Sequence, residues 1–102
     1  MKTITNETII NFKEYLQNEE KSSATIEKYI HDVACFKTKH EGGELTKSAV
    51  LEYKSNLVET YKTASVNSML SSLNSFFDFM GWHELKVKNV KVQKQMFLTN
   101  VT

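Results

Sequence analysis

The chain has 102 residues, 40% hydrophobic and 25% charged, with a formal net charge of +1. That length suits one domain with a modest core; no apolar run is long enough to span a bilayer, and the start Met1-Lys2-Thr3-Ile4-Thr5 lacks the basic-then-apolar order of a secretion signal, so a cytoplasmic protein is expected. The single Cys35 excludes an internal disulfide, and every one of the 13 basic residues is Lys, which excludes chemistry that needs a guanidinium.

No Pro occurs, and long periodic segments without Pro favour helices throughout. The first helix is expected from Thr5 or Asn6 to Asn18, with Asn6 as N-cap and Ile9, Ile10, Phe12 and Leu16 as its apolar face. A polar connection, Glu19 to Ser23, leads to a second helix that starts near Ser22 or Ser23 and ends near His40. Ile26, Tyr29, Ile30, Val33 and Phe36 repeat there at helical spacing, and Glu41-Gly42-Gly43 stops it, because paired Gly supplies a left-handed helix end. The third helix opens at Leu45-Thr46, with Thr46 as N-cap and Leu45 as a hydrophobic staple on Val50. Ala49, Val50, Tyr53, Leu57 and Val58 are its expected buried side.

The segment from Thr63 to Phe77 carries no charge yet reads as strongly amphipathic. Val66, Met69, Leu70, Leu73, Phe76, Phe77 and Met80 form one apolar stripe. Opposite stand Ser65, Asn67, Ser68, Ser71, Ser72, Asn74 and Ser75. Solvated helix faces usually carry long side chains, because Ser and Asn compete with the helix for its backbone hydrogen bonds. Short neutral donors and acceptors suit close approach to a phosphate backbone or to base edges; the plain alternative is a Ser-rich solvated face. Gly81 ends this helix, and the tail from Trp82 to Thr102 alternates Val with Lys. A lone strand has no partner in a helical domain, so the tail reads as a linker. The expected division is a four-helix domain over 1–85 and a linker over 86–102. The expected fold class is all-α, a small four-helix bundle.

No enzyme active site is legible. His31, His40, His83 and Cys35 lack metal-ligand spacing, and no Gly-rich phosphate loop follows a strand. Cys35 reads as a buried or half-buried inert thiol, and no cofactor or metal is expected. Phe76 and Phe77 belong to the stripe, whereas Phe79 is expected against the tail or Trp82. The segment Lys21 to Lys28 points elsewhere. Free backbone N–H groups, the positive end of a helix dipole, hydroxyls and two Lys coincide there, as at a phosphate site. Lys62 with Thr63 and Ser65 repeats the arrangement. Ordinary N-capping is the alternative for each start taken alone.

These residues also stand in a telling order. Lys21-Ser22-Ser23-Ala24-Thr25-Ile26 is followed by Tyr29, Asp32 and Phe36; Leu45-Thr46 by Val50 and Leu57; Ser65 to Leu73 by Phe76-Phe77 and Met80. The series resembles the N-terminal core-binding, SAM-like domain of the phage-integrase family of tyrosine recombinases, and Leu85 to Lys94, with Asn89 and Lys91, is similar to its stretch toward the catalytic domain. The resemblance implies a four-helix SAM-like bundle that, with a catalytic domain, forms a C-shaped clamp on double-stranded DNA. Its second and fourth helices would lie over the major groove of the core half-site. The Arg-, Lys- and His-rich centre and the Tyr nucleophile belong to that catalytic domain, which a chain without Arg cannot contain. The resemblance thus implies a non-catalytic DNA-binding fragment of a bacterial or phage-encoded recombinase. Its partners would be DNA, the catalytic domain of the same parent chain and other protomers in a synaptic complex. Carried over by position, Lys21, Ser23, Thr25 and Lys28 match the DNA side of the second helix; Lys62, Ser65, Asn67, Ser68, Ser71 and Ser72 match that of the fourth. Family members often carry Arg or Lys where Ser68, Asn74 and Ser75 stand, so fewer cations and weaker binding by this domain alone are expected. The competing expectation is a helical protein–protein interaction domain whose Ser/Asn face packs on a partner helix.

Overall fold

The computed structural model describes residues 2–40 and 43–91. The expected stop at Gly42 and the linker from Val92 onward lie outside the described residues. Four helices follow one another: α1 (Asn6–Asn18), α2 (Ser23–Lys39), α3 (Lys47–Thr60) and α4 (Thr63–Met80), then a 3-10 turn, His83–Leu85. No strand occurs among the described residues, and the fold is the expected small all-α bundle.

Side-chain caps set three of the four helix starts. Thr5, not Asn6, caps α1, because its hydroxyl accepts the Thr8 N–H at 3.1 Å while the Thr8 hydroxyl accepts the Thr5 N–H at 3.0 Å. Ser22 accepts the Thr25 N–H at 3.1 Å, and Thr46 accepts the Ala49 N–H at 3.2 Å. α4 follows Lys62, which offers no side-chain acceptor, so its start is not capped in this way. Two helix ends share one hydrogen-bond pattern. Lys21 N–H reaches the Leu16 carbonyl and Glu20 N–H the Gln17 carbonyl; Trp82 N–H reaches Phe77 and Gly81 N–H reaches Asp78. This pattern needs a left-handed residue just past the helix, supplied by Glu20 (φ 62°) and Gly81 (φ 77°).

α4 is the central element. Its Val66, Leu70, Leu73, Phe76 and Phe77 are buried against Phe12 and Leu16 of α1, Ile26, Val33 and Phe36 of α2, and Val50 and Leu57 of α3. The Phe12 ring meets Phe76 edge-on at 5.2 Å. Three expectations shift. Ile10 is 57% exposed and Val58 46%, since each is turned away around its helix from the buried residues, Phe12 and Leu16 on α1 and Val50 and Leu57 on α3. Phe79 packs on Phe12 and Tyr15 of α1 rather than on the tail, and Trp82 covers Phe76. The N-terminus is fastened too: the Leu45 N–H donates to the Lys2 carbonyl at 2.7 Å, and the Lys2 ammonium pairs with Glu84 at 2.8 Å.

The start of the expected linker is part of the packed unit. Val87 is buried, and Val90 packs half-buried against the core. The Asn74 amide donates to the Val87 carbonyl at 2.8 Å and accepts the Val87 N–H at 3.0 Å. The Asn67 amide does the same for Val90, at 3.0 and 2.7 Å. Seven residues on a helix rise about 10.5 Å, and three extended residues cover about 10 Å, so the two amides match the two valines. From the other side, Lys47 and Lys54 of α3 donate to the carbonyls of Lys86 and Lys88. Residues 86–90 therefore run back along α4, antiparallel to it, between α3 and α4. Side-chain amides provide the partner that a lone strand lacks, which is why packing continues past residue 85.

Candidate nucleic-acid interface

α2 and α4 pack closely, and one buried polar contact fixes how they meet. The Ser72 hydroxyl, fully buried, donates to Asp32 Oδ2 at 2.7 Å. Lys28 pairs with the same oxygen at 2.5 Å. Ser72 sits on the flank of the apolar stripe that faces α2, where a small side chain allows close approach and its hydroxyl satisfies a carboxylate that is only 8% exposed. Ser72 is thus not on the solvent side of α4, contrary to the sequence reading. Lys28 keeps its side chain 42% exposed but shares its charge with Asp32.

Asn67 is likewise taken: its amide nitrogen donates to the Val90 carbonyl and its amide oxygen accepts the Val90 N–H, so both ends of the amide are engaged by the Val90 backbone. Thr25 is half-buried, its N–H and hydroxyl both engaged with Ser22. The remaining expected residues are open. Lys21, Ser23, Lys62, Ser65 and Ser71 are exposed and make no side-chain hydrogen bond or ion pair among the described residues, and Ser68 is half-exposed. On the surface of α4, Ser68, Ser71 and Ser75 form the strip between the Ser72 flank and the Asn67–Asn74 flank. Of the seven short polar residues of α4, Asn67, Asn74 and Ser72 are engaged on two flanks, Ser68, Ser71 and Ser75 form this open strip, and Ser65 is exposed near the helix start. Asn67 and Asn74 stand seven apart, as do Lys47 and Lys54, and that matched spacing is the sequence signal for the packed segment 86–90.

Elsewhere the side chains offer little chemistry. Cys35 is exposed rather than buried, because it lies on the outer face of α2 with Lys28 and His31; its Sγ is 3.5 Å from His31 Nε2. A groove of about 390 Å³ opens between α2 and α3, lined by Cys35, Phe36, His40, Tyr53 and Tyr61 among others, and contains none of the ten expected DNA-facing residues. Burial pushes the Tyr53 phenol up to about 12, so it stays protonated at neutral pH. No three His, Cys, Asp or Glu side chains converge as metal ligands among the described residues. No described helix is long and apolar enough to cross a membrane.

A family model described as phage integrase, N-terminal SAM-like domain, matches residues 9–84. Neither a curated protein nor a solved structure gives a match. The matched stretch runs from α1 into the 3-10 turn and ends just before the segment that the two Asn side chains hold.

Proposed function

The chain belongs to the phage integrase N-terminal SAM-like domain family, and from that membership we propose that it is the DNA-binding module of a site-specific tyrosine recombinase. In this reading α2 and α4 cover the major groove of a core half-site during integration or recombination. The catalytic domain is supplied by the rest of a parent chain, through the linker that continues from residue 91, and other protomers complete the synaptic complex. No residue of this chain is assigned a catalytic role.

The observation that supports the reading most is the Asp32–Ser72 junction. It holds α2 and α4 side by side while Lys21, Ser23 and Lys28 on or just before one, and Lys62, Ser65, Ser68 and Ser71 on or just before the other, keep solvent-facing atoms. Lysines of this kind neutralise phosphates whatever the sequence, and short hydroxyls reach base edges or backbone. Thr25, Asn67 and Ser72 then serve by holding the surface rather than by touching DNA.

The test is duplex binding by fluorescence anisotropy across a salt series. Lys21→Gln with Lys62→Gln should lower the slope of log affinity against log salt by about 2, equally on all sequences. Ser68→Ala or Ser71→Ala should shift sequence preference with little change of slope. An unchanged slope in the Lys variant rejects these residues as phosphate contacts. A second reading, a helical protein–protein interaction domain, is favoured by Leu51 and Val58, both exposed and seven residues apart on α3. A contact there would weaken on truncating those two side chains and respond little to salt.

A further inference from the structure

We propose that residues 86–91 form a cationic strap, a third phosphate-contacting element beside α2 and α4, held in place by Asn67 and Asn74. The proposal rests on the DNA-binding reading above and adds residues that lie beyond the stretch matched by the family model.

Position comes first. Ser71 stands four residues from Asn67 and three from Asn74, so it lies between the two latches on the α4 surface. The strap therefore borders the open strip of α4 on one flank, while α2 borders it on the other through Ser72 and Asp32. Lys86 confirms the placement, since its ammonium reaches Asp78, the next residue along the Ser71–Asn74 row, at 3.0 Å.

Charge comes second. The fold gathers Lys47, Lys54, Lys86, Lys88 and Lys91 around the strap in a chain whose net charge is only +1. Asp78 is the one carboxylate paired with any of them among the described residues. Lys47 and Lys54 each give one N–H to a strap carbonyl, which leaves their charge intact. Lys88 and Lys91 are exposed, and neither has a carboxylate partner among the described residues.

The two observations identify the partner as a double-helical phosphate backbone. α4 has no cation from Thr63 to Phe77, so it cannot neutralise phosphates itself. A helix is about 10–12 Å across, and the major groove of B-DNA is about 12 Å wide. Cations that reach both phosphate walls must then flank the helix that enters the groove. Lys28 and Lys21 stand on the α2 flank, and Lys88 and Lys91 on the strap flank. The amide latches matter because a Lys-rich segment that is merely tethered spreads its charge over many positions.

The test uses the 102-residue chain and a generic duplex across a salt series. Lys88→Gln with Lys91→Gln should lower the salt slope by about 2, whereas Lys13→Gln on α1 should leave it unchanged. Asn67→Ala with Asn74→Ala keeps every charge, yet should weaken binding as the Lys88/Lys91 variant does, with helical circular dichroism retained. If the Lys88/Lys91 variant matches Lys13→Gln, the strap is not a DNA element. If the Asn variant binds as the parent does, the latches play no part, and the proposal fails on that side. A parent chain that loses affinity on Lys21→Gln with Lys62→Gln, but not in the strap variants, keeps the DNA-binding reading and overturns this one. A parent chain with no salt-dependent binding overturns both.

Discussion

Glu20 and Gly81 occupy the same place in the same hydrogen-bond pattern, one past α1 and the other past α4. Only Gly81 is free of the clash between Cβ and the following carbonyl that a left-handed L-residue suffers, about 1–2 kcal/mol. Replacing Glu20 by Gly relieves that clash but adds unfolded-chain freedom worth about 0.5–1 kcal/mol. The net expectation is a gain of about 0.5 kcal/mol for Glu20→Gly. Gly81→Ala should lose about 0.5–1 kcal/mol, all of it from backbone conformation, since the space around an added Cβ is open. Urea unfolding midpoints at constant slope check both values. Gly81 was legible as a stop because Gly is the usual residue at such an end. Glu20 was not, because nothing in an acidic, polar connection announces a positive φ.

Between elements, the decisive contact is the one from Ser72 to Asp32. Ser72→Ala removes a hydrogen bond to a buried carboxylate that keeps its Lys28 partner, so the expected loss of stability is about 1–2 kcal/mol. Sequence preference on DNA should not change, because Ser72 has no exposed surface to offer a base. Denaturant unfolding and a competition assay among duplexes read the two effects separately; an altered preference with unaltered stability would return Ser72 to the DNA side. The four helices and the α4 stripe were legible because a period of three and four residues records which side of a helix is dry. What periodicity does not record is the neighbour that covers each flank. Ser72 and Asn67 look alike on a helical projection, yet one meets an Asp of α2 and the other the backbone of Val90. The strap escaped a reading based on strands for a related reason. Its hydrogen-bond partners are side chains 13 and 23 residues away, and no ladder pattern marks them.

At the scale of the whole molecule, the N-terminus and the start of the strap are both fastened beside the 3-10 turn, and carboxylates hold them there. Hydrogen bonding from Lys86, and then from His83, keeps the Asp78 carboxyl below its ordinary range. The Lys2 hydrogen bond does the same for Glu84. A carboxyl depressed in the folded state binds its proton more readily in the unfolded chain. Its contribution is therefore present above the ordinary carboxylate range and is lost as pH falls through the depressed values. Both pairs are solvent-exposed, so the effect is small at high salt and largest at low ionic strength. The thermal midpoint at low salt should fall on acidification, and Asp78→Asn with Glu84→Gln should flatten that part of the profile. Amide exchange at Val87 and Val90 adds a local reading, because the strap begins at the residue that Asp78 anchors. Acidification should loosen those amides before the α2–α4 core in the parent chain, and the double variant should show them loosened already at neutral pH. If both amides stay protected in the variant, the Asn67 and Asn74 latches hold the strap without help from the ion pairs, and the fastening at the 3-10 turn is separate from it.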